Sequence, residues 1–213
     1  IFATQLTDNQ KSEAMSLVLS KVRDVTVKTK QYQEIFFKLE ANSKSKILSE
    51  LIKSPDIQPR DTWLLDIDKD HKTLLADMHP KTRYNISLAK RKGVKIKFSK
   101  NPEDIKYFLE LISKTAKKNQ IVVHSDKYYK LLWQVILKNK IGQLCLAEVD
   151  NKTVAANIVI YFGQAAIYVH GASDYNYRKF MAPHLLQWES IKDAMERGYK
   201  IYDWWGVAPD DSS

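Results

Sequence analysis

The sequence predicts a mixed α/β domain with helices packed on one sheet. Three observations lead there. From residue 62 the hydrophobic patterns run β-α-α-β-α-α-β-β-β-α-β. Three consecutive strand patterns, "GQLCLAEV", "TVAANIVIYF" and "AAIYVHGA", are separated only by short turns, which argues antiparallel pairing before the last helix and strand return. No GxGxxG follows a strand, so the order is not that of a dinucleotide-binding unit.

Taken in order, residues 9–31 open as a helix, because Ala14, Leu17, Val18 and Val22 recur at i, i+3, i+4 spacing. "EIFFKLE" (34–40) reads as a strand and "SKSKILSELIKS" (43–54) as a short amphipathic helix. "PDIQPRD" (55–61) holds two prolines and reads as a linker or boundary. "TWLLDI" (62–67) begins a new unit as a strand, and Asp68 is placed to N-cap the helix after it. "KTRYNISLAKRKG" is a second helix, stopped by Gly93 as its C′ residue. "VKIKF" (94–98) alternates as a strand. Residues 102–118 carry Pro, Glu and Asp in their first turn and lysines at their end, which suits the helix macrodipole. Residues 125–139 form another amphipathic helix. "DNK" joins the first two of the three antiparallel strands as a hairpin turn. Residues 181–198 are a helix ending at Gly198, and "YKIYDWWGV" closes as a strand.

Apolar residues make up 44% of the 213, enough for a core and against global disorder. No apolar run approaches the ~18 residues of a membrane span. The opening "IFATQLTDNQ" has neither the basic n-region nor the apolar h-region of a signal peptide. It lacks an initiator Met and starts inside a pattern, so a fragment or processed chain is expected. Cys145 is the sole cysteine, so no intrachain disulfide is available. Five scattered histidines give no metal-ligand spacing, and neither a metal nor a cofactor is expected. A net charge of +9 favours a polyanionic partner: nucleic acid, a pyrophosphate-bearing ligand or an anionic membrane face. A solubilising Lys-rich surface is the alternative.

The charge gathers in one strip. Between His79 and Asn101 stand eight Lys or Arg and no acid. On a helical wheel of residues 80–92, Tyr84, Leu88 and Arg91 share one face, and Ile86, Ala89 and Gly93 another. Lys81, Asn85, Lys92 and, less closely, Arg83 and Lys90 are left to solvent or a ligand. Facing phosphates, Lys81, Arg83, Lys90, Arg91 and Lys92 gain counterion release or charge-assisted hydrogen bonds; a solvated helix face is the alternative.

The string "MHPKTRYNISLAKRKGVKI" resembles the corresponding stretch of the Fem family of aminoacyltransferases, which build the interpeptide bridge of peptidoglycan. The likeness continues in order through "IQPRDTWLLDI", "SDKYYKLL", "AEVDNKTVAANIVIYFGQAAIYVHGAS" and "APHLLQWESIKDAMERGYKIYDWWGV", from about residue 15 to residue 210. The resemblance implies two GNAT-like acyltransferase domains in tandem, with residues 1–58 the end of the first and 59–213 the second. No coiled-coil insertion lies between Phe98 and Ile141, as in the armless FemX type. The resemblance also implies that the opening half of the first domain and a closing segment with a Phe-Lys pair lie outside this chain, so residues 1–213 are expected to be inactive alone.

The implied reaction is cytoplasmic and needs no cofactor. An amine on the stem peptide of a nucleotide- or lipid-linked muramyl pentapeptide attacks the ester of an aminoacyl-tRNA, at or near the inner membrane face. An activated ester asks the protein mainly to position, to move a proton and to stabilise an oxyanion, which suits a chain with no Ser-His-Asp or Cys-His motif.

Residue by residue, Tyr128 matches the family tyrosine near the precursor's phosphates. Four residues earlier, where armless members are expected to carry arginine, stands His124, whose imidazole forms no guanidinium fork. Tyr168 matches a second cleft tyrosine, a core aromatic on a strand being the alternative. "YNYRKFMAPHLL" stands where acetyl-CoA-binding relatives have a Gly-rich pyrophosphate loop. Arg178 and Lys179 remain there as phosphate or tRNA contacts, but Met181-Ala182-Pro183 offers no open nest of N–H groups. Asp203 in "YDWWG" is the catalytic candidate, to orient a donor or accept a proton; structural hydrogen bonding is the alternative. Two other readings stay open: an N-acyltransferase using acyl-CoA, and a non-catalytic RNA-binding module working through residues 81–100. The chain lacks RRM and KH signatures.

Overall fold

The computed structural model describes residues 7–29 and 61–206. The chain divides into two compact units, residues 1–60 and 61–213. The described part of the first is α1 (Asp8–Thr29). Thr7 and Gln10 close its start reciprocally: the Gln10 N–H donates to Thr7 Oγ1 (3.3 Å) and the Thr7 N–H to Gln10 Oε1 (2.9 Å), a capping box. The strand expected at 34–40, the helix at 43–54 and nearly all of the 55–61 boundary fall outside the described residues.

The second unit is built on a six-stranded sheet: β1 (Thr62–Asp66), β2 (Lys95–Ser99), β3 (Gly142–Val149), β4 (Lys152–Phe162), β5 (Ala165–Ser173) and β6 (Ile201–Gly206), in spatial order β1-β6-β5-β4-β3-β2. Every pair is antiparallel except β5–β6. Helices α2 (His71–Asp77), α3 (Pro80–Arg91) and α6 (Ala182–Glu196) cover one face, and α4 (Ile105–Asn119) and α5 (Asp126–Asn139) the other. Strand β3 shows why both faces are covered. Cys145, Ala147 and Val149 pack with α3 and α6, while Leu144 and Leu146 pack with Phe108 and Trp133 of α4 and α5. A strand buried on both faces reads as a continuous apolar run, which is what "QLCLAEV" is.

Local chemistry sets the element ends. Asp70, and not Asp68, N-caps α2. Its carboxylate accepts from the Thr73 hydroxyl and from the N–H groups of Thr73 (2.9 Å) and Lys72 (3.0 Å), which hold it below the usual carboxylate range. Asp68 instead pairs with Lys200 at 2.5 Å. Gly93 (φ +75°) ends α3, with Val94 N–H bonded back to the Ala89 carbonyl. Asp150 and Asn151, both left-handed, make the β3–β4 hairpin turn.

Three strands depart from regular pairing. On β4, Thr153 pairs with Glu148 and Ala155 with Ala147, so Val154 is an extra residue. On β5, Tyr168 pairs with Val159 and His170 with Ile158, so Val169 is an extra residue. On β6, Thr62 pairs with Gly206 and Leu64 with Asp203, so Trp204 and Trp205 together face Trp63. Trp205 takes φ +62°, a conformation costing on the order of 1 kcal/mol in a bulky residue.

Candidate functional site

The parallel pairing of β5 and β6 covers only Ala165–Ile167 against Ile201–Asp203. Past those residues the two strands no longer bond, and a cleft of about 580 Å³ opens there. Aromatic rings dominate its lining: Trp63, Tyr168, Trp188 and Trp204. The polar side chains that reach it include His184 and Gln187 of α6, and His79 and Thr82 at the start of α3. A second cleft, about 630 Å³, adjoins it along the 3-10 turn Tyr175–Phe180 and the start of α6; Pro183 and His184 line both.

Tyr168 lies along its own strand, its ring edge occupying the space where a side chain at position 171 would stand. A Cβ on Gly171 would fall 1.8 Å from Tyr168 Oη. Trp204 meets the ring edge-on at 6.2 Å. Burial pushes the phenol's pKa up, so the hydroxyl keeps its proton and acts as a donor.

His184 was not anticipated. Its Nε2 lies 3.1 Å from Nδ2 of Asn85. An amide nitrogen only donates, so Nε2 accepts and Nδ1 carries the proton; Nδ1 is buried with no partner among the described residues. Burial lowers the imidazole's pKa and keeps it neutral. Asn85 itself corrects the wheel reading. It is buried, on the inner stripe with Ile86 and Ala89, and not turned to solvent. Its i+4 relation to Ala89 was legible, but its polarity argued for the wrong face. Tyr84, assigned a shared face with Leu88, is 57% exposed.

On the opposite face of the sheet, His124 and Tyr128 stack with ring centroids 4.1 Å apart. Ser125 N-caps α5 through the Tyr128 N–H, which sets Tyr128 one turn above His124. The extra residue Val169 turns His170 onto this face, where it packs on Phe108 and Tyr129. His170 Nε2 lies 3.5 Å from Tyr128 Oη. Burial, with His124 nearby, holds His170 down at about 4, so it is neutral at ordinary pH. The fold therefore gathers His124, Tyr128 and the unanticipated His170, while Tyr168 packs with the α3/α6 side. Strict alternation from Tyr168 puts His170 on Tyr168's face; the bulge is what reverses it.

Much of the basic strip is engaged within the chain. Arg83 donates to the carbonyls of Ala76 (2.8 Å) and Met78, tying off the end of α2. Lys90 pairs with Glu189 at 3.2 Å, and Lys97 with buried Asp104 at 3.1 Å. Lys92 donates to the Lys179 carbonyl, and Arg91 lies over the Tyr84 ring. Lys81 is exposed, with no side-chain partner among the described residues. Arg178 and Lys179 sit in the 3-10 turn, over Tyr175 and Phe180.

Asp203 has one carboxylate oxygen committed. Its Oδ1 accepts from the Thr62 hydroxyl and from the Trp205 N–H (2.8 Å), holding the β6 bulge that aims Trp204 at the cleft. Cys145 is fully buried, which pushes its thiol up to about 12, out of reach of nucleophilic chemistry.

With this geometry in hand, the chain's likeness to known proteins is informative. The sequence profile of the FemAB family matches residues 19–153 and 147–213. The chain belongs to the FemAB family. A lipid II:glycine glycyltransferase of Staphylococcus haemolyticus (strain JCSC1435) is 22% identical over 77% of this chain and 54% of its own length. The enzyme of that name from Staphylococcus aureus is 20% identical over 78% of this chain and 55% of its own length. The chain thus spans about half the length of these FemAB relatives. The crystal structure of FemX superposes with a TM-score of 0.74 at 18% identity, covering 95% of this chain and 70% of that one. That likeness bears out the mixed α/β acyltransferase fold. Among the described residues no helix is long and apolar enough to cross a membrane.

Proposed function

We propose that this chain is the second-domain part of a cytoplasmic FemAB aminoacyltransferase. It extends the stem peptide of a muramyl-pentapeptide precursor by aminolysis of an aminoacyl-tRNA at the inner membrane face. Residues 1–58 are then the end of a first domain of the same kind. The observation that carries the reading is the aromatic-walled cleft where β5 and β6 separate, in a chain of this family. Its volume of about 580 Å³ has room for an aminoacyl ester, and its polar lining is His79, Thr82, His184, Gln187 and Asp77, the last paired with Lys69, with no Ser or Cys nucleophile among them.

The chemistry asked of it is modest. The amine's lone pair attacks the ester carbonyl carbon, the C–O bond to the ribose breaks, and the nitrogen's proton ends on the departing hydroxyl. Tyr168, which keeps its proton, serves as a donor to the developing oxyanion. His124, Tyr128 and His170, on the other face of the sheet, serve the phosphate end of the precursor, away from the attacking amine. An acyl-CoA donor is disfavoured at the start of α6. The Met181 and His184 N–H groups bond back to Arg178 and Met181 carbonyls, and Pro183 has none, so no nest awaits a pyrophosphate.

The test takes the protein at the full length of its relatives, supplies mixed charged tRNAs with lipid-linked and nucleotide-linked precursors, and follows product mass. The expected result is a gain of one amino-acid residue, abolished by ribonuclease. A gain from acyl-CoA that survives ribonuclease would overturn the donor.

A further inference from the structure

We propose that the turn Tyr175–Phe180 is an RNA-docking platform, on which an unpaired RNA end stacks a base on the exposed Tyr175 ring while five cations drawn from four segments, held over Tyr175 and the half-buried Tyr177 and Phe180, take its phosphates. Only one of the five, Lys92, belongs to the 79–101 strip; the other four come from elsewhere in the chain. Five of the eight cation–ring contacts among the described residues fall on this six-residue turn.

Tyr175, 49% exposed, lies between Lys118 Nζ, 4.0 Å from its ring centroid, and the Arg178 guanidinium carbon, at 4.3 Å. Tyr177 carries Lys152 at 4.9 Å. Phe180 carries Lys179 at 5.3 Å and Lys92 at 5.8 Å. Lys118 comes from the last turn of α4, Lys152 opens β4 and Lys92 caps α3. None of the five makes an ion pair with a carboxylate among the described residues. The acid at the head of the turn, Asp174, is buried, caps Asn176 and is neutralised by Lys114 at 3.0 Å. The local field is therefore strongly positive and unspent.

A cation parked on a ring face is replaceable. When a base stacks there, the cation moves to the adjoining phosphate, and both partners gain. A lipid surface fits less well. Membrane docking draws on protruding apolar side chains, and on this turn Tyr175 is the one large exposed hydrophobic. The turn walls the 630 Å³ cleft that meets the 580 Å³ one at His184, so a strand laid along it leads to the β5–β6 opening. That direction rests on the proposed use of aminoacyl-tRNA; the affinity for RNA does not.

The experiment is fluorescence anisotropy of the chain with a labelled RNA hairpin bearing a 3′ single strand, and with its blunt counterpart, across ~50–200 mM salt. Tyr175→Ala should bind the overhanging hairpin roughly tenfold more weakly with an unchanged salt slope. Lys118→Ala with Lys152→Ala should flatten the log–log slope by about one unit per lysine. Lys81→Ala, on the strip, should do neither of these beyond a small change. Thermal melts confirm that these surface variants fold. Equal loss with Lys81→Ala, no preference for the overhang, no RNA binding, or capture by anionic vesicles that the same variants abolish would each overturn the platform. Platform-dependent RNA binding without aminoacyl transfer by the protein at its relatives' full length sinks the catalytic reading and leaves the platform standing; transfer insensitive to these variants does the reverse.

Discussion

Gly171→Ala puts the packing of the cleft to a direct test. A Cβ at 171 would stand 1.8 Å from Tyr168 Oη, 2.7 Å from Cζ and 3.0 Å from Cε2. Moving the hydroxyl alone does not clear these contacts, so the ring must swing away from the strand into the space beside Trp204. Over-filling of this kind costs roughly 1–3 kcal/mol. For a chain of this size each kcal/mol is worth about 2–4 °C in Tm. Urea denaturation of a double-mutant cycle isolates the contact. Gly171→Ala should destabilise the wild type by that amount and be close to neutral once Tyr168→Ala has emptied the space, giving a coupling of about 1–3 kcal/mol. Equal destabilisation in both backgrounds would mean that the ring does not lie over Gly171. In the transfer assay, Tyr168→Phe should lower kcat by about 10²-fold if its hydroxyl faces the oxyanion.

His170 is held at about 4 against an ordinary 6.5, so its neutral form stabilises the fold fully above pH 6.5 and that contribution is lost as pH falls towards 4. Across that window the wild type should lose about 2 kcal/mol more than His170→Phe, allowing for the partly exposed ring; equal losses by urea titration would remove His170 from the acid response. Arg83→Ala should cost about 1–2 kcal/mol by stripping donors from the end of α2, whereas Lys81→Ala should stay within ~0.5 kcal/mol. Asn85→Asp replaces a donor with a charged acceptor against His184 Nε2, so imidazole NMR should show its pKa rising by about one unit or more. Cys145 should react with a disulfide reagent only as fast as the protein unfolds; rapid labelling of the native chain would contradict its burial.

Local chemistry alone determined the succession of elements from residue 62 and the glycine stop at Gly93. Each depends on neighbours within a few positions, which a sequence displays directly. The Fem resemblance was legible in the same way, as ordered strings. The details of the site were not. Val169 and Trp205 are ordinary residues in their strings, and only pairing with the neighbouring strand makes them bulges; one of these brings His170 to Tyr128 and the other aims Trp204 at the cleft. Polarity suggested that Asn85 faced water, but a histidine 99 residues away satisfies its amide in the interior. The basic strip looked continuous because acids are missing from its own sequence; Asp104 and Glu189 and the α2 carbonyls meet it in space. Charge without a carboxylate partner among the described residues gathers where Lys92, from that same strip, meets Lys118 and Lys152 on one turn, from three separate elements. Charge and hydrogen bonding act across space and not along the chain, so where they gather was for the tertiary structure to decide.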